Sequence, residues 1–208
     1  MIDGGNATTG ISEIRWTGIC EATTEDGHKI WYTGDEKIHL KGVGLLVEKD
    51  TAKSVMECTV SNRIMSMRIA VKPRNLTIIQ LYAPVSHCEE EEIEDFYQDV
   101  ENIMKKKPRK DILIIQGDWN AKIGYMQNEN REGTAGKCGN DMVLARWQKH
   151  NQIDFITVDE RFQTGTNRPK TRAFKRPDIG SDHDPVMVKR ARFDLEKQEQ
   201  RNFAPISN

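Results

Sequence analysis

The pattern of apolar and polar positions predicts a series of short strands and one long helix. Apolar residues recur at helical spacing from Ile93 onward, after a capping box at Ser86 and Glu89 and before Pro108. A short helix is also predicted at residues 142–150. Strands are predicted where alternating or wholly apolar runs are bounded by turn residues, at 10–16, 29–33, 43–47, 64–71, 76–82, 112–115, 151–158 and 186–188.

Residues 110–124, KDILIIQGDWNAKIG, place polar side chains at the end of a strand that is apolar on both faces. Gly117 permits a sharp turn, and Asp118 and Asn120 follow at alternate positions, so that both side chains point to one side of an extended backbone. Ligands usually bind at such strand ends in open α/β sheets. Alternatively, the two residues form only a turn, because Asp and Asn side chains bond nearby backbone groups.

Other polar residues occupy similar positions. Glu13 lies among apolar strand residues, where a carboxylate needs a partner, a metal or solvent; the simpler interpretation is an exposed edge-strand glutamate. Tyr82 ends a strand, either packing its ring or directing its phenol into a cleft. Asp154 is flanked by apolar residues, and His183 lies between two acids, one of them Asp182, that could fix its tautomer.

This set of side chains suits metal-assisted hydrolysis of a phosphodiester. Carboxylate oxygens hold Mg²⁺, and the ion offsets charge that grows on the phosphoryl oxygens. An aspartate and an asparagine at one strand end can align the attacking water, and a carboxylate–imidazole pair can donate or accept a proton.

Composition limits the class of protein only loosely. With 208 residues the chain fits one domain, and its 31 basic and 32 acidic residues nearly cancel. Residues 161–192 contain nine Lys or Arg and three Asp, which suits phosphate contacts or simply a soluble face. The run KKKPRK at 105–110 fits a nuclear address, or equally the basic end of a helix.

The four cysteines are widely separated and form no C-x-x-C pair, so neither a zinc site nor a disulfide framework is expected. No secretory signal is visible, and no apolar run reaches the ~20 residues that span a membrane. We therefore expect an intracellular protein, nuclear or cytoplasmic, that does not bind membranes. We also expect a monomer.

Five pieces, ISE, LYAP, GDWNAKIG, NQIDFI and SDHDP, occur in this order. Together they resemble the endonuclease/exonuclease/phosphatase superfamily, which is DNase I-like and includes the endonuclease domains of non-LTR retrotransposons. The resemblance extends from residue 11 to residue 189. It implies an α/β four-layer sandwich, in which two mostly antiparallel mixed sheets face each other with helices outside. It also implies DNA nicking that depends on Mg²⁺, with Mn²⁺ as an alternative.

The resemblance also implies roles for residues in the first three motifs. Glu13 corresponds to the metal-binding glutamate of the family, and Tyr82 to the tyrosine that contacts the scissile phosphate. Asp118 corresponds to the residue that orients or activates the attacking water, with Asn120 beside it. These roles follow from position in the motifs and not from composition or spacing.

The last two motifs supply the remaining candidates. Asp154 corresponds to the aspartate that pairs with the catalytic histidine, and His183 corresponds to that histidine. Asp182 corresponds to its neighbour on the metal or water side.

Two departures from the family pattern affect the expected domain. Family members begin with a strand that carries an asparagine, upstream of the piece matching residues 10–16, and they place a longer segment between GDWN and NQID. We therefore expect a domain at 11–192 that is truncated at its N-terminus and lacks an internal segment, with a loose stretch at 1–10 and a charged tail at 193–208.

The expected function is an Mg²⁺-dependent DNA endonuclease of retrotransposon type. One alternative is a catalytically impaired nucleic-acid-binding or interaction protein with the same fold. Another is a phosphatase of the superfamily that acts on a small molecule or lipid.

Overall fold

The computed structural model describes residues 8–35, 41–61, 63–85 and 88–120, and beyond them six short strands at 137–138, 142–145, 154–159, 170–173, 186–189 and 194–195. The strands form one four-stranded sheet, one seven-stranded sheet and two small two-stranded sheets. The candidate site depends on the two large sheets.

Sheet 1 has four antiparallel strands in the order β1-β4-β3-β2. Its inner face is apolar, and the alternate residues Val43, Leu45 and Val47 are completely buried. Strand β2 at the edge is exposed along its whole length. The strands are β1 (Thr8–Ile14), β2 (Ile19–Thr23), β3 (Lys29–Thr33) and β4 (Gly42–Val47).

Sheet 2 has seven strands in the order β10-β11-β12-β9-β8-β6-β5. The central pair, β8 and β9, is parallel, and every other neighbouring pair is antiparallel. Its strands are β5 (Val55–Ser61), β6 (Ile64–Ile69), β8 (Leu76–Tyr82), β9 (Ile112–Asp118), β10 (Lys137–Cys138), β11 (Met142–Ala145) and β12 (Asp154–Asp159).

Helix α2 connects the parallel strands β8 and β9, as such a crossover requires. The remaining elements are small: β7 pairs with β15, and β13 pairs with β14. Their bounds, with those of the helices, are α1 (Lys49–Ala52), β7 (Val71–Lys72), α2 (Glu90–Lys106), β13 (Lys170–Ala173), β14 (Val186–Lys189) and β15 (Asp194–Leu195).

The two faces of β8 enter different cores. Ile78 packs with residues of sheet 1 such as Leu45, whereas Ile79 packs with Phe96 and Val100 of α2. Sheet 1, sheet 2 and α2 are therefore successive layers, and the predicted two-sheet sandwich with a helix outside is confirmed. Tyr82, an even number of residues after Ile78, lies on the face toward sheet 1.

Some elements differ from the prediction. Residues 142–150, predicted as a helix, begin instead with strand β11, because pairing with β12 overrides the helix propensity of Met, Leu and Ala. Helix α2 begins at Glu90 after Glu89, which makes no side-chain cap bond, and Ser86 lies outside the described residues. Strand β15 falls within the predicted charged tail.

A partly buried ion pair joins β6 to Asp111, the residue that precedes β9. Arg68 Nε and Nη2 donate to the two carboxylate oxygens of Asp111 at 2.6 and 3.2 Å, and Thr77 Oγ1 donates to Asp111 Oδ2 at 3.2 Å. Asp111 is 3% exposed, so these partners, rather than water, stabilise its buried carboxylate.

We expect Asp111→Asn to lower the free energy of unfolding by ~2 kcal/mol, because Arg68 loses its partner in a partly buried place. Urea denaturation measures the change. The matched control is Asp50→Asn, which breaks the exposed pair with Lys53 and should cost less than ~0.5 kcal/mol. Equal losses in the two variants would contradict the assigned importance of the partly buried pair.

Candidate functional site

Three predicted site residues lie in one row across sheet 2. Tyr82 at the end of β8 is the direct partner of Asp118 at the end of β9. Asp118 is in turn the direct partner of Asp154 at the start of β12. The sheet therefore brings residues that are far apart in the sequence together at one end of its strands.

Glu13 reaches this row from sheet 1. The register of β1 against β4 shifts between Ser12 and Ile14, which leaves Glu13 in a β-bulge with φ 58°. Its carboxylate is exposed, and Oε1 accepts a hydrogen bond of 2.8 Å from the Tyr82 hydroxyl. The bulge lets Ile14 enter the core while Glu13 turns toward the end of sheet 2.

Asp118 and Asn120 form a compact turn after β9. Asp118 is 1% exposed, and its Oδ1 accepts a hydrogen bond of 2.9 Å from the main-chain N–H of Asn120. Asn120, at φ 45°, donates from Nδ2 to the carbonyl of Ala83 at 2.7 Å. Asp118 and Asn120 therefore do form a turn, which was the simpler of the two predictions. The same turn places both side chains beside Tyr82 at the strand ends.

No protein-family model matches the chain. An endonuclease/exonuclease/phosphatase family protein from Leptotrichia buccalis C-1013-b superposes with TM-score 0.52 at 16% identity, over 81% of this chain and 72% of that chain. D. rerio TDP2, complexed with a single-strand DNA product, superposes with TM-score 0.50 at 13% identity, over 81% of this chain and 77% of that chain. The chain has the endonuclease/exonuclease/phosphatase fold.

Craniofacial development protein 2 of Tragulus javanicus is 34% identical over an alignment 212 positions long, which covers 86% of this chain. The chain spans 36% of that relative's length. The five motifs also predict a resemblance to this protein, and that resemblance, like the one to the endonuclease/exonuclease/phosphatase superfamily, is confirmed.

The electrostatics around Tyr82 keep its phenol neutral. Burial, together with the hydrogen bond to Glu13, raises the pKa of Tyr82 to about 12. At neutral pH the phenol therefore retains its proton and acts as a hydrogen-bond donor. Asp118 contributes in the same direction, because its negative charge disfavours a phenolate.

A cationic group that the sequence did not indicate also contacts Tyr82. The Arg63 guanidinium lies 5.4 Å from the centre of the Tyr82 ring, and its Nη2 donates to Glu92 on α2 at 2.7 Å. Lys41 donates to the same Glu92 oxygen at 2.9 Å. Glu92 lies in the acidic first turn of α2, where a negative charge is favourable, and this position does not by itself reveal the contact.

The bonds from Lys41 and Arg63 lower the pKa of Glu92 to about 2. Because the folded pKa lies below the ordinary 4.5, ionised Glu92 stabilises the fold above that pH, and the contribution disappears as the pH falls through 2. Glu92→Gln should therefore lower the Tm near neutral pH, with a gap to wild type that narrows from pH 4.5 toward 2. Thermal unfolding followed by circular dichroism across this range measures it; a gap constant with pH would contradict the assignment.

The remaining candidates are placed incompletely. Asp182 and His183 lie outside the described residues, and for Asp154 only the backbone register is described. Within the described part of the chain, no three His, Cys, Asp or Glu side chains cluster as a metal site. Over the same residues, no helix has both the length and the hydropathy to cross a bilayer.

Proposed function

We propose that the protein is a phosphodiesterase that depends on Mg²⁺ and nicks DNA as an endonuclease. The observation that carries the proposal is the meeting of Glu13, Tyr82 and Asp118 at one end of the space between the sheets. Three residues from three motifs, two carboxylates and a neutral phenol, form a site that could bind a phosphodiester.

The donor atoms fit a hard divalent ion. The carboxylate of Glu13 is exposed, and Mg²⁺ typically takes one or two carboxylates and fills its remaining positions with water and phosphate oxygen. Glu13 would hold the ion, with Asp182 as the second protein ligand and Mn²⁺ as an alternative metal. When bound, the ion would offset the charge on the phosphoryl oxygens.

The other side chains would act on the water and the phosphate. Asp118 would orient the attacking water and accept its proton, with Asn120 beside it. The phenol of Tyr82, which has a single proton, would redirect it from Glu13 to a phosphate oxygen when the substrate binds. His183, oriented by Asp154, would donate to the phosphate or accept a proton. The water oxygen attacks phosphorus in line with the departing oxygen, so that no covalent intermediate with the protein forms.

DNA is the substrate class that the charges favour. Residues 161–192 carry nine basic and three acidic side chains, a bias that suits the phosphate backbone. The D. rerio TDP2 structure contains a single-strand DNA product, which supports a nucleic acid in this fold. Measured affinity for duplex DNA should fall steeply with salt, whereas a small phosphorylated substrate would show little such dependence.

A plasmid assay tests the proposal. Supercoiled plasmid with Mg²⁺ should be converted to the nicked circle by the wild type, and EDTA or the His183→Ala substitution should abolish conversion. Equal background in wild type and His183→Ala would refute the enzyme; salt-sensitive DNA binding in that case would support a non-catalytic nucleic-acid-binding protein.

A further inference from the structure

A buried carboxamide connects the two sheets directly beneath the candidate site. Gln80 lies two residues before Tyr82 on the same face of β8 and is 2% exposed. Its Nε2 donates a hydrogen bond of 3.0 Å to Ser12 Oγ in β1. Ser12 Oγ donates at 3.4 Å to the main-chain oxygen of Leu81. These bonds join sheet 2 to the residue that precedes Glu13.

The packing around Gln80 is fitted to this contact. A β-carbon at Gly10 would overlap Gln80 Oε1 and crowd the amide of Gln116 on the neighbouring strand. Gly10 therefore leaves the room in which the Gln80 amide reaches Ser12. A buried polar side chain costs free energy unless it is bonded, so a carboxamide in this core requires a reason.

The conformation of Glu13 supplies one. A non-glycine residue at φ 58° is strained by roughly 1–3 kcal/mol, and it persists only where its surroundings hold it. Glu13 itself is exposed and is unpaired in the register of β1 with β4, so apart from its hydrogen bond to Tyr82 the restraint comes from its neighbours in the chain. Ser12, on one side, is the residue that Gln80 binds.

We propose that Gln80 is a positioning residue, which through Ser12 fixes the bulge in β1 and thereby directs the Glu13 carboxylate to the Tyr82 hydroxyl. Gln80 does not touch the reacting atoms. The consequence for catalysis rests on the proposed function, but the consequence for the Tyr82–Glu13 hydrogen bond does not.

Nuclear magnetic resonance of protein labelled with ¹³Cζ-tyrosine tests the link without metal or DNA. The chain has four tyrosines, and the signal missing in Tyr82→Phe identifies Tyr82. Glu13→Gln defines the shift that accompanies a weakened bond. Gln80→Met, which keeps the length but removes the donor, should move the signal in the same direction.

Two variants at Ser12 make the test independent of how well Gln80→Met folds. Ser12→Ala, which lacks the hydroxyl, should also move the Tyr82 signal, whereas Ser12→Thr should keep it near the wild-type position. The matched control is Gln116→Met, which removes the carboxamide of the residue paired with Gln80 on β9 and should leave the signal in place.

In the plasmid assay, Gln80→Met should lower kcat ~10–100-fold with little change in KM, since a site loosened by ~1 Å loses rate rather than affinity. The proposal is overturned if Gln80→Met and Ser12→Ala leave the Tyr82 signal in place while Glu13→Gln moves it. It also fails if Glu13→Gln moves nothing, because the bond is then absent. Neither result depends on nicking, so a failure of the proposed function is seen separately.

Discussion

Asp118→Asn is expected to lower the rate of DNA nicking by ~10²–10⁴-fold while the protein keeps its fold. Asn has the shape of Asp, and its oxygen can still accept the hydrogen bond from the Asn120 N–H. What it loses is the charge, and with it the ability to accept a proton from the attacking water. Because Asp118 is 1% exposed, bulk water cannot accept the proton in its place.

The measurement is the initial rate of plasmid nicking under saturating Mg²⁺, with circular dichroism to show that the fold is retained. The matched control is Asp95→Asn, the same change at an exposed position of α2, which should nick at the wild-type rate. If Asp118→Asn nicked as fast as this control, Asp118 would have no part in activating water.

Gly117→Ala is expected to lower the free energy of unfolding by ~3–5 kcal/mol and to abolish nicking. Gly117 has φ 138°, which L side chains rarely adopt, and an added β-carbon would overlap the main-chain oxygen of Leu81. Leu81 is its direct partner in the parallel ladder, so neither strand can move away without breaking the pairing that aligns Tyr82 with Asp118. A loss of this size is a large part of the ~5–15 kcal/mol that holds a typical domain together.

Gly18→Ala separates the two causes of this loss, backbone strain and overlap of the added β-carbon. Gly18 also has a positive φ, 75°, but nothing lies within 4 Å of an added β-carbon. It should therefore cost only the backbone strain, ~1 kcal/mol. Urea denaturation of both variants measures the difference, and equal costs would show that the overlap with Leu81 is relieved elsewhere.

Much of the fold could be predicted from the periodicity of the sequence. The strands at 29–33 and 76–82 have the predicted bounds, because turn residues or a proline limit each apolar run. Strand β2 was missed, since all its residues are exposed and no apolar face marks it. Strand β5 was missed because a register shift after Val55 interrupts the alternation of buried and exposed residues along it.

The candidate site could be predicted as a set of residues but not as a geometry. Motifs located Glu13, Tyr82 and Asp118, and simple alternation would have placed Glu13 on the face of β1 opposite Ser12. A bulge has no clear sequence signal, so its effect on Glu13 was not foreseeable. The contact of Arg63 with Tyr82 was missed because it depends on how α2 packs, through Glu92, beside β6.

The parallel pairing of β8 and β9 makes the spacing of Tyr82 and Asp118 independent of the chain that joins them. Residues inserted between Lys107 and Lys110 would lengthen the connection after α2 without moving either side chain. Variation in the length of this connection should therefore leave the reaction rate unchanged in homologous proteins. A slip of one residue in either strand would instead turn one of the two side chains toward the helix.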